Sequence, residues 1–179
     1  MLEMLPTPER AEALVAGGPL PELPAVAFNA HREPPMDLVA QANHPGPREL
    51  GPASTGGIGS ARGVAALYAA AIGPVGSRDA LLKPDTGAEF ARLHTPGQDA
   101  VTADPDHSGL GFEQQPAVGP EAFGRCGAAG GQGFADPVTG IAYGCTRRRF
   151  GFPGGLAPEN GRLTAAGLGV ARGLESGQA

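Results

Sequence analysis

The strongest constraint on this chain is a run between Phe123 and Cys145 in which two short apolar segments flank Asp136-Pro137-Val138-Thr139-Gly140. Aspartate, proline and glycine at those spacings are turn chemistry, and short apolar runs on either side of a turn predict a β-hairpin. The first arm, Phe123-Gly124-Arg125-Cys126-Gly127-Ala128-Ala129-Gly130-Gly131-Gln132-Gly133-Phe134, is thinned by glycine. Glycine in a strand brings no side chain to the core. It marks a bulge or a place where another backbone or a ligand approaches closely. The stretch is therefore also the first place to look for a site.

The rest of the chain is read outward from it. Leu110–Glu113, Ala122–Cys126, Gly131–Ala135 and Ile141–Arg147 are predicted as strands in antiparallel order. Upstream, Ser60 caps a helix in which Val64, Leu67, Tyr68, Ala71 and Ile72 recur at helical spacing and which stops at Gly73-Pro74. Pro84 to Leu93 predicts a further short helix, and residues 94–108 a polar loop. Downstream, Pro158 to Leu174 predicts a helix with Leu163, Ala166, Val170 and Leu174 on its buried face, weakened by Gly161, Gly167, Gly169 and Gly173. Thr7-Pro8-Glu9 opens a helix over residues 8–16, closed by Gly17-Gly18. Residues 17–58 are rich in proline and glycine and are predicted as loop, with a helical turn near residues 35–42. Helices before and after a block of antiparallel strands make an α+β plan. A single domain, 1–179, divides into a loop-rich part with short helices (1–58), a helical part (59–108), antiparallel strands (109–149) and a C-terminal helix (157–175).

Composition sets limits on partners and on the core. Glycine and proline supply 30 and 19 of the 179 residues, and aromatic residues only 5% with no tryptophan, so any core is built of small side chains. A net charge of −5 carries no footprint for nucleic acid or an anionic membrane. The N-terminus lacks a basic region followed by an apolar one, so it does not read as a secretory signal, and the chain has no run of about 18 apolar residues. The expected address is the cytoplasm. Two cysteines, Cys126 and Cys145, form no disulfide framework, and their pairing is open.

Local motifs give little chemistry on their own. Gly56-Gly57-Ile58-Gly59-Ser60-Ala61-Arg62-Gly63 has neither the preceding strand nor the following lysine of a phosphate loop, and reads as the entry to a capped helix. Asp104-Pro105-Asp106-His107-Ser108-Gly109 begins like a calcium loop, but Gln115 stands where a bidentate glutamate belongs. His31, His44, His94 and His107 have no metal spacing with the cysteines, so no metal or cofactor is expected. Cys126 beside Arg125 has a setting that lowers a thiol pKa, yet no base lies near it in sequence, and a small buried hydrophobe is the better reading. No serine stands in a Gly-x-Ser-x-Gly elbow.

Several motifs taken in order do carry a resemblance. Asn43-His44-Pro45 with Arg48-Glu49, Gly57 to Gly63 running into Leu67-Tyr68-Ala69-Ala70, Leu81-Leu82-Lys83-Pro84, Gly109-Leu110-Gly111-Phe112 and Phe123 to Asp136-Pro137 resemble the C-terminal half of the β-lactamase-related serine hydrolases. The branch they look most like is the class C β-lactamase-like esterases, relatives of the penicillin-binding proteins. The resemblance implies the C-terminal part of a β-lactamase/transpeptidase-like fold, incomplete relative to the whole, and a parent that hydrolyses a small-molecule ester or lactam. It also implies three elements: Ser-x-x-Lys, Tyr-x-Asn or Ser-x-Asn, and a Lys-Thr-Gly-like or His-x-Gly triplet on a strand beside the cleft.

Only the third maps onto this sequence, at Arg125-Cys126-Gly127. The lone lysine, Lys83, has Ala80 three residues before it, and no asparagine has tyrosine or serine two positions earlier. Catalytic residues are therefore expected to be absent, with the missing elements on a separately encoded N-terminal half. Arg125 departs from the pattern too, because a guanidinium stays protonated and attracts a carboxylate without relaying protons. Arg125, Cys126 and Gly127 are accordingly substrate-binding candidates. The alternative expectation is a non-catalytic ligand-binding or interaction module that reuses the half-fold.

Overall fold

The computed structural model describes residues 26, 43–53, 57–99, 105–127, 130–148 and 158–176. The expected helix over residues 8–16 and the turn near 35–42 lie outside the described residues. Within them the order is α1 (Pro45–Leu50), α2 (Ala61–Ile72), α3 (Pro84–Ala91), β1 (Gly97–Gln98), β2 (Pro105–Asp106), β3 (Glu113–Gln114), β4 (Phe123–Cys126), β5 (Gln132–Asp136), β6 (Ile141–Cys145) and α4 (Pro158–Ser176). This is an α+β arrangement of antiparallel sheets and helices.

Three elements were not expected. α1 forms where loop was predicted: its prolines sit in the first turn, where no backbone donor is needed, and His44 caps it by accepting from Gly46 N–H. The 94–108 loop contains the two-residue pair β1–β2, with Gly97 opposite Asp106. The strand expected at Leu110–Glu113 is instead the two-residue β3, because Gly111 turns the chain at φ 76°. The other strands lie within two residues of their expected bounds, as does α3.

The four-stranded sheet runs β3-β4-β5-β6, each pair antiparallel. Asp136 pairs with Ile141 across the expected turn, where Gly140 takes φ 68°. The Asp136 carboxylate is buried there, one oxygen accepting from the Val138 N–H and the other from the Thr139 hydroxyl at 2.6 Å.

Residues opposite one another in an antiparallel pair share a face, so the register sorts the side chains. One face carries Phe123, Arg125, Gly133, Ala135, Ala142 and Gly144. Phe123 and Ala135 cluster there with Tyr68 of α2 and Ala91 of α3, ringed by Val64, Phe90 and Phe112. Tyr68, Phe90, Phe112 and Phe123 stack edge-on or tilted at 5.0 to 6.4 Å, so four of the few aromatic rings are spent in one cluster. The glycines let α2 lie directly on β5 and β6: a Cβ at Gly133 would sit 2.5 Å from the Tyr68 ring, and one at Gly144 would strike the backbone of α2. The opposite face carries Cys126, Gln132, Phe134, Tyr143 and Cys145 and is covered by α4, with Phe134, Val118, Ala122 and Leu168 buried together.

α4 departs from expectation in the face it buries. Asn160, Thr164 and Leu168 point to the sheet, while Leu163 and Val170 are 55% and 65% exposed. Its polar side is tied down by Asn160, which donates to Gly130 O at 2.8 Å, so a specific hydrogen bond outranks the apolar stripe in setting the helix rotation. Leu67 likewise lies on the exposed flank of α2 rather than on its buried face.

Candidate functional site

The triplet singled out in sequence falls at the open end of β4. Arg125 is paired with Gly133 and belongs to the α2 face, while Cys126 is paired with Gln132 and belongs to the α4 face. Gly127 leaves the strand and closes the β4–β5 connection, donating to Gly131 O at 2.8 Å and accepting from Gly130 N–H at 2.9 Å.

The Arg125 guanidinium is largely exposed and meets the Glu113 carboxylate of β3 at 2.9 Å. A carboxylate from the neighbouring strand thus occupies the guanidinium that sequence offered to a ligand. Glu113 lies at the end of an expected strand, and nothing in its local sequence marks it as the partner.

Beneath this pair lies Tyr68, whose hydroxyl hydrogen-bonds the Arg125 backbone. Burial, reinforced by Cys126 and Glu113, pushes its pKa up to about 12. Tyr68 is therefore a neutral donor and acceptor at ordinary pH. Sequence placed it in the core and gave no sign of its polar contact.

Cys126 behaves the same way. Burial first and Glu113 second push its thiol up to about 11, against a smaller opposing pull from Arg125. That is the reverse of an activated nucleophile. The Arg125 neighbourhood, which in sequence hinted at a lowered thiol pKa, loses to desolvation.

The α4 side of β4 to β6 holds a polar row. Cys126, Gln132 and Cys145 stand opposite one another on three successive strands. Two strand spacings of about 4.8 Å separate the cysteines, beyond the roughly 7 Å reach of a disulfide. Both thiols are free. Gln132 donates to Gln115 Oε1 at 3.3 Å, and the Cys145 thiol lies 3.4 Å from Asn160 Oδ1. Gln132 Oε1 and Thr164 Oγ1 are buried with no partner. A glutamine between Gly131 and Gly133 at an inward strand position was the legible signal for this row.

His94 meets Glu89 at 3.2 Å beside Arg92, and Asp106, held below the usual carboxylate range by the Ser108 and Thr95 hydroxyls, closes a turn onto Ser108 N–H. Among the described residues no three His, Cys, Asp or Glu side chains gather in a set able to hold a metal ion, and no helix is long and apolar enough to cross a membrane.

An antiparallel sheet with helices on both faces and a glycine-lined contact with one of them makes this an α+β fold. The solved structure of EstA from Arthrobacter nitroguajacolicus Rue61a is similar to this chain, with a TM-score of 0.71 and 31% identity over 78% of it. That match takes in 39% of EstA, so the chain spans about two fifths of the length of this neighbour. No protein-family model matches the chain. No curated protein sequence matches it either.

Proposed function

We propose that this chain is the C-terminal part of a β-lactamase-related serine esterase and has no hydrolase activity by itself. The observation that carries the reading is the likeness to EstA at 31% identity over most of this chain and a minor part of EstA. The sequence agrees with it: Ser-x-x-Lys and Tyr-x-Asn are absent, and the strand bearing Arg125-Cys126-Gly127 is the sole counterpart of the three catalytic elements. With a thiol pKa near 11, Cys126 does not replace the missing serine. The parent enzyme would act on a small-molecule ester or lactam in the cytoplasm, with the nucleophile and its lysine on a separately encoded partner.

Arg125 would then border the acyl pocket and steer a substrate carboxylate after exchanging its contact with Glu113. A carboxylate-binding module without catalysis uses the same residue, and the exposed position of the guanidinium favours it as the second reading. The test is intact mass after incubation with a fluorophosphonate and, separately, a penicillin, beside hydrolysis of a p-nitrophenyl ester. The expected result is no adduct and no turnover. A stoichiometric adduct on the isolated chain overturns the proposal.

A further inference from the structure

We infer that Asn160-Gly161, in the first turn of α4, is a deamidation site that the seating of the helix keeps closed, and that its conversion releases α4 from the sheet irreversibly. The reaction consumes only solvent water and is independent of any esterase activity.

Of the three asparagines, Asn29, Asn43 and Asn160, only Asn160 is followed by glycine. Without a Cβ, Gly161 leaves its backbone nitrogen unshielded and its dihedrals free, so that nitrogen can reach the side-chain carbonyl carbon of the residue before it. The Gly161 nitrogen bonds to Asn160 Cγ, the Cγ–Nδ2 bond breaks, and Nδ2 leaves as ammonia with the proton that Gly161 gives up. Water then opens the cyclic imide. It leaves either a normal aspartyl linkage or one that runs through the side-chain carboxyl and lengthens the backbone by a methylene.

In the folded chain the reacting atoms are kept apart. Asn160 is 1% exposed, its Nδ2 donates to Gly130 O at 2.8 Å, and its Oδ1 lies 3.4 Å from the Cys145 thiol. Those contacts aim the amide into the sheet and away from the Gly161 nitrogen, so conversion requires the first turn of α4 to leave its seat. That seat is weakly held. Helix ends fray, and Gly161, Gly167 and Gly169 lower the helix propensity of this one. Thr164, one turn on, buries a hydroxyl with no hydrogen-bond partner among the described residues. The product blocks the return. A carboxylate has no N–H for Gly130 O, so reseating would set two acceptors face to face and bury a charge against a carbonyl. The lengthened backbone breaks the helical register as well. Gly130 also donates its N–H to Gly127 O at 2.9 Å, in the connection that closes β4 onto β5. Loss of the Asn160 anchor therefore reaches the end of the strand that carries Arg125 and Cys126.

The test incubates the chain at mildly alkaline pH, with and without guanidinium, and follows Asn160 by peptide mapping and an isoaspartate assay. Expected without denaturant is slow conversion at Asn160, at least tenfold slower than in guanidinium. Gly161→Ala should slow conversion at least tenfold in guanidinium, where no fold intervenes, and it fits the helix because nothing lies within 4 Å of the added Cβ. Thr164→Val removes the unpartnered hydroxyl and tightens the seat, so it should slow conversion severalfold in the folded chain and leave the rate in guanidinium unchanged. Converted protein, separated by charge and freed of denaturant, should exchange amide hydrogens faster over residues 160–168 and at Gly127 and Gly130, but at the native rate in Phe123–Arg125. Equal rates with and without guanidinium overturn the gating, as does a Thr164→Val effect of the same size in both. Conversion confined to guanidinium overturns the site in the folded chain. Converted protein that exchanges like the native chain, or faster throughout, overturns the release of α4.

Discussion

Replacing Gly144 by alanine tests whether α2 is seated on the glycines of the sheet. The added Cβ would meet Ala61 O, Ala65 N at 2.7 Å and Val64 Cβ at 3.1 Å. Favourable contacts with carbon begin near 3.5 Å, so α2 has to lift by roughly 1 Å. The colliding atoms are helix backbone, and no rotamer change relieves them. At Gly133 the colliding atoms are the Tyr68 ring and Val64 Cγ1, at 2.5 and 2.6 Å, which are side chains with some freedom to yield. Overpacking costs about 1–3 kcal/mol, occasionally more, so Gly144→Ala should lose about 3 kcal/mol and Gly133→Ala somewhat less. Gly73→Ala is the control. Its φ of −167° suits any residue, nothing lies within 4 Å of its Cβ, and the substitution trims unfolded-state freedom, a gain of about 0.4–1 kcal/mol. At about 2–4 °C per kcal/mol for a chain of this size, thermal melts followed by circular dichroism should show Gly144→Ala about 6–12 °C below native and Gly73→Ala at or above it. A Gly144→Ala melt within a degree of native would refute the close seating of α2.

Other substitutions probe the polar groups. Gln132→Met removes a buried oxygen without a partner and leaves Gln115 Oε1 near the Cys126 thiol, so the urea midpoint should rise by an amount equivalent to about 1 kcal/mol. Cys126 and Tyr68 both have folded pKa values above their ordinary ones, 9.0 raised to about 11 and 10.0 raised to about 12. Folding therefore favours their neutral forms. Their contribution is complete below pH 9 and is lost as pH rises from 9 to 12, so the melting temperature should fall over that window, and less steeply in Cys126→Ala and Tyr68→Phe. For the same reason iodoacetamide should alkylate Cys126 about tenfold faster for each pH unit from 8 to 10. A plateau by pH 9 contradicts the assigned cause. Glu113→Gln releases an ion pair whose arginine is exposed and whose glutamate is half-buried, and should change stability by about 1 kcal/mol or less. The same variant should strengthen binding of acetate or succinate at Arg125, read by chemical-shift titration.

The central strands and α2 were legible because local signals and tertiary structure agree there. Asp136-Pro137-Val138-Thr139-Gly140 makes the turn that its composition dictates, and Val64, Tyr68 and Ala71 meet the sheet at helical spacing. The short elements were not legible. β1, β2 and β3 are two-residue pairings held by partners distant in sequence, such as Gly97 with Asp106, and no local period reveals them. Arg125 was legible as a cation, but its partner Glu113 was not, because that contact depends on the β3–β4 register.

α4 is the instructive failure. Periodicity assumes that the most apolar face is the buried one, and Leu163, Ala166 and Val170 satisfy that test. The helix instead turns Asn160 and Thr164 inward, because Asn160 answers the Gly130 carbonyl and stands beside the Cys145 thiol. A helix that buries a polar face and exposes an apolar one conflicts with its own pattern. Such conflicts count against a sequence that has to satisfy one fold by itself. They disappear if both faces are buried, the polar one by the sheet below and the apolar one by a neighbour alongside.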